Sequence, residues 1–96
     1  MKKFQEVQIG DLYRYIGHTA SVFDSLPELE RTYLEDDWDS LSILPTRLPF
    51  ESVVVVTDKS QFSIHNRNVY FIKIIDNKTH VCGWVPFHSF YWNKIL

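Results

Sequence analysis

Apolar and polar positions alternate in short stretches along this chain, and breaks at glycine, proline and Asx residues divide it into elements. Residues 8–16 read as a first strand entered through Gly10, and Gly17 and His18 then open a loop. Ser25-Leu26-Pro27-Glu28 is a helix start: Ser25 can cap, Pro27 suits the first turn, and Glu28 can complete a capping box. Leu26, Leu29 and Tyr33 then recur at helical spacing and form one apolar stripe. Acidic residues oppose the negative end of the helix dipole, so the helix should fade near Asp36 and Asp37. Pro45 and Pro49 keep residues 40–50 extended or turn-like.

Val53-Val54-Val55-Val56 reads as a strand, and because four consecutive valines do not alternate, both its faces should be covered. Asp58-Lys59-Ser60 reads as a turn, residues 69–75 as a second apolar strand, and Asp76-Asn77-Lys78 as a hairpin turn. Residues 80–85 form a third strand ended by Pro86, and residues 87–96 are an aromatic tail. Alternation puts Val81, Gly83 and Val85 on one face of the third strand and His80, Cys82 and Trp84 on the other. The expected core is therefore Val53, Val55, Ile72, Ile74, Val81 and Val85, with Gly83 where backbones crowd. The helical stripe should cover the Trp84 face. Closely spaced strands with one long early connection suggest a small barrel or sandwich, and a lone helix argues against a βαβ fold.

Composition supports a packed domain. The chain has 96 residues, 45% of them apolar and 16% aromatic, which fits one domain over residues 1–96 and excludes disorder. No apolar run approaches the roughly 18 residues a membrane span needs. Lys2 and Lys3 have no apolar stretch behind them, so no signal peptide is read. Cys82 is the only cysteine, so no internal disulfide is expected. These features point to the cytoplasm, or to a particle assembled there.

Charge is unevenly spread. Residues 24–39 hold Asp24, Glu28, Glu30, Glu35, Asp36, Asp37 and Asp39 against Arg31, while the rest of the chain has nine bases and five acids. The result is a mildly basic body with an acidic segment. The acidic edge formed by Glu28, Glu30, Glu35, Asp36, Asp37 and Asp39 would suit a basic protein surface. It lacks the Asp-x-Asp-x-Asp-Gly pattern of a calcium loop.

Two stretches carry a resemblance. Asp11-Leu12-Tyr13-Arg14-Tyr15 resembles the Ala-Leu-Tyr-Asp-Tyr motif of SH3 domains, and Gly83-Trp84-Val85-Pro86 resembles the Gly-aromatic-aliphatic-Pro motif that closes their barrel. The resemblance implies a mainly β chain folded as a small five-stranded SH3-like barrel, with residues 18–50 as a long first loop containing a short acidic helix. It also implies that Tyr13 and Tyr15 line a peptide groove with Pro86 beside them. Trp84 and Phe90 complete the aromatic partner-binding set. The chain departs from the family after Pro86, where Phe87-His88-Ser89 stands in place of Ser-Asn-Tyr. It also has Val69, Tyr70 and Phe71, and no Trp, at the start of the second central strand.

Little in the sequence points to chemistry. His80, Cys82 and His88 could ligate zinc, but no Cys-x-x-Cys is present. There is neither a Gly-rich phosphate loop nor a Gly-x-Ser-x-Gly elbow. The expectation is a non-enzyme without catalytic residues, metal or cofactor. Lys59, Arg67, Lys73, Lys78 and Lys94 could form a weak basic face, but the acidic segment disfavours nucleic acid. The first reading is a protein-binding module acting through the aromatic groove, the acidic insertion, or both. The alternative is a small structural subunit of a larger assembly such as a phage particle, a homo-oligomer included, which would suit the Lys-, Asn-, Ile-, Phe- and Tyr-rich composition.

Overall fold

A computed structural model describes residues 4–17, 19–35, 46–88 and 91–95. After a short 3₁₀ turn (Phe4–Glu6) come β1 (Leu12–Tyr15), β2 (Thr19–Val22), α1 (Leu26–Glu35), β3 (Thr46–Pro49), β4 (Val53–Ile64), β5 (Arg67–Asp76), β6 (Cys82–Pro86) and β7 (Trp92–Lys94). The described fold is mainly β with one α-helix.

Five antiparallel strands form one sheet in the order β6-β5-β4-β1-β7, and β2 and β3 form a separate ladder. The five-stranded sheet is not closed into a barrel. The edge of β6 is met instead by the segment leaving β2: the Phe23 and Trp84 backbones exchange hydrogen bonds of 2.9 and 2.7 Å. Gly83 lies at this crossing. A Cβ there would stand 2.6 Å from the Phe23 carbonyl oxygen and 2.7 Å from Val22 Cγ1, and its φ of 154° is rare for other residues.

Two apolar clusters result. The main one joins Tyr13 and Tyr15 of β1, Val54 and Val56 of β4, Ile72 and Ile74 of β5, Val85 of β6 and Trp92 of β7, beneath Val22 and Leu48. The second holds Phe23, Leu29, Phe71 and Trp84, with Leu26 and Tyr33 of α1 packed against it. The helix therefore covers the Trp84 face through the stripe expected of it. Its start is capped as its sequence suggests, with the Glu28 N–H donating to Ser25 Oγ at 3.4 Å.

The structure corrects the sequence reading in three places. The buried valines are Val54 and Val56, and Val53 and Val55 face outward half-buried, because the run occupies a single strand with one covered face. Asp58-Lys59-Ser60 is not a turn. The strand runs on to Ile64 through a bulge between Val56 and Asp58, and the reversal falls at His65-Asn66. The long first connection contains the β2–β3 ladder as well as the helix, and Pro49 sits on the outer strand of that ladder, where a missing donor costs nothing.

Candidate functional site

Strand β1 ends at Tyr15 and β6 ends at Pro86, and the two meet at one open cleft of about 170 Å³. Ala20 and Ser21 of β2 line its far side, with His88, Tyr91 and Trp92 on the approach to β7. Tyr15 lies 4.8 Å from Trp92 and 6.4 Å from Tyr91, centroid to centroid, and His88 stands edge-on to Tyr91 at 6.0 Å. Tyr91 is 40% exposed and lines the cleft. Burial raises the Tyr15 hydroxyl pKa above its usual value, with a smaller effect of Tyr91, and burial lowers that of His88. Both effects favour the neutral groups, and the aromatic character of the cleft comes from Tyr15, Tyr91 and Trp92 in its lining.

A wider opening of about 630 Å³ adjoins it across His88. Its walls are Tyr33 and Leu34 of α1, the β4–β5 hairpin from Ile64 to Tyr70, and Phe87.

The residues singled out in the sequence are not all brought together. Tyr15 and Pro86 share the first cleft. Tyr13 is fully buried against Phe87, ring centroids 6.0 Å apart, so its surface belongs to the core. Trp84 is 8% exposed and lies under α1 in the second cluster. Phe90, Asp36, Asp37 and Asp39 lie outside the described residues. Glu28 and Glu30 are half-buried along α1, while Glu35 is exposed and ion-paired with Arg31 at 3.4 Å. His80 and Cys82 are both exposed, and no group of three or more His, Cys, Asp or Glu residues among those described could hold a metal ion. No described helix is long and apolar enough to cross a membrane.

Sequence reasoning missed Tyr91, Trp92 and His88 as cleft residues. The signal was the aromatic tail itself, which needed the pairing of β7 with β1 to place it. Comparison with known protein families, curated proteins and solved structures finds no match.

Proposed function

We propose that the chain is a non-enzymatic protein-binding module of SH3-like type, which holds an extended segment of a partner protein in the cleft between β1, β6 and β7. The observation that carries this reading is the meeting of Tyr15 and Pro86 in one open, aromatic-walled cleft. They end the two stretches that resemble the SH3 motifs. Aromatic rings suit such a role because they contribute large contact area at small entropic cost.

The test is affinity capture from the native host with mass spectrometry, comparing wild type with Tyr91→Ala. Tyr91 is exposed enough to be truncated without opening the core. The expected outcome is a folded variant that retains at most about a tenth of the captured partner, as for a binding hot spot. Equal capture by the two proteins rejects the cleft.

One observation favours the second reading, a structural subunit of an assembly. Ile95, Leu12, Val55, Ile75 and Cys82 follow one another in register across the outer face of the five-stranded sheet. Ile75 and Ile95 are each 40% exposed. Helix α1 covers the other end of this face and leaves the apolar row open.

A further inference from the structure

The wider cleft beside His88 differs from the first in its charge. The β4–β5 hairpin reverses through His65 and Asn66, whose φ angles of 49° and 65° make a tight two-residue turn. That turn sets Arg67, the first residue of β5, at the cleft wall opposite Tyr33 and Leu34 of α1. Val69, Tyr70 and Phe87 supply apolar surface between them. Among the described residues no carboxylate lines the cleft, and none is paired with the Arg67 guanidinium. This holds although the chain carries a net charge of −2 and α1 bears Glu28, Glu30 and Glu35. Leu34 is 54% exposed at the lip, an apolar side chain without cover. At about 630 Å³ the opening falls within the usual range for ligand sites.

We infer that the cleft between α1 and the β4–β5 hairpin binds an acidic peptide segment, with an aromatic or long aliphatic side chain against Leu34, Tyr70 and Phe87 and a neighbouring carboxylate on the Arg67 guanidinium. The inference rests on the protein-binding reading and names the partner's chemistry. A guanidinium donates two parallel hydrogen bonds to a carboxylate, and the adjoining apolar surface desolvates the pair. His88, held toward its neutral form by burial, bridges this cleft to the first, so one extended segment can cross both. A single-stranded nucleic acid could also use rings and a cation, but Arg67 is the one Lys or Arg among the described lining residues, which matches a single carboxylate better than a run of phosphates.

A random peptide library displayed on phage, selected against the wild-type protein and against Arg67→Glu, tests the inference. Arg67 is exposed in the hairpin, and circular dichroism checks that the variant folds. Wild type should enrich sequences that place Asp or Glu within three positions of an aromatic or aliphatic residue. A synthetic peptide from that pool should bind Arg67→Glu at least about tenfold more weakly, and wild type several-fold more weakly at about 300 than at 50 mM salt. Binders without an acidic preference, or with the same preference on Arg67→Glu, overturn the inference and leave the module reading standing. No enrichment on wild type overturns both. Tighter binding of an oligothymidylate than of the selected peptide, lost in Arg67→Glu, assigns the cleft to nucleic acid and overturns the inference.

Discussion

The Tyr13 hydroxyl is buried and, among the described residues, has no hydrogen-bond partner. An unpaired buried hydroxyl costs about 1–3 kcal/mol in lost hydration. Tyr13→Phe should therefore leave stability unchanged or raise it by up to about 1 kcal/mol in urea melts. A loss of that size instead would mean that the hydroxyl is bonded. Burial, followed by the charges of Asp11 and Glu6, pushes the Tyr13 pKa up to about 12, and burial does the same to Tyr33. The unfolded chain releases these protons near pH 10, so the unfolded state gains stability above that pH. These tyrosines should thus contribute undiminished stability up to about pH 10 and lose it between about 10 and 12. Phenolate absorbance should rise together with the loss of circular dichroism. If the phenolates of all five tyrosines form near pH 10 in a still-folded protein, the burial assigned to Tyr13 and Tyr33 is wrong. Gly83 was legible from alternation alone as a crowded core position, and the contact with the Phe23 carbonyl explains why no side chain fits there. Gly83→Ala should cost about 3 kcal/mol or more, combining overpacking with an unfavourable φ, and Val85→Ala roughly 2–3 kcal/mol.

Elements differ in how far sequence reveals them, and helix α1 was the clearest. Ser25, Pro27 and the Leu26/Leu29/Tyr33 spacing are local signals that no distant contact overrides, and the helix forms where they predict. Its covered partner, the Trp84 face, followed from the alternation in β6. The valine run carried no such information: identical neighbours have no period, so only pairing with β1 and β5 fixes which pair faces inward. Asp58-Lys59-Ser60 misled for a related reason. Its polarity marks an exposed stretch of strand and a bulge rather than a reversal, while the true turn at His65-Asn66 lacks glycine. The cleft was half legible: the two resembling motifs supplied Tyr15 and Pro86, whereas β7 had to be paired with β1 before Tyr91 and Trp92 could be placed. The docking of α1 is testable as a unit. Leu29 is fully buried against Phe23, Phe71 and Trp84, so Leu29→Ala should cost about 2–4 kcal/mol. Amides of residues 29–34 should exchange slowly in wild type and much faster in the variant. Fast exchange in wild type would show that the helix frays from the sheet.

At the scale of the whole molecule, the open question is whether the apolar row on the outer sheet face is an interface between copies. It runs through Ile95, Leu12, Val55, Ile75 and Cys82, from one edge of the five-stranded sheet to the other. Strands lie about 4.8 Å apart, so the row extends roughly 19 Å, one side chain wide. Specific dimers bury about 800 Å² on each partner, well above what such a strip supplies. Leu12 and Val55 are already half-buried, which reduces the area further. The flanks do not make up the difference, because Arg14 borders the row on one side and Lys73 on the other, and an isologous contact would bring like charges close. Size-exclusion chromatography with light scattering should therefore report a monomer at micromolar concentration. Ile75→Lys should leave the oligomeric state, the melting temperature and partner capture essentially unchanged, as expected for an exposed position outside both clefts. A stable dimer or larger species that Ile75→Lys dissociates would reverse the order of the two readings. The row would then be an assembly contact, and the chain a structural subunit before it is a binding module.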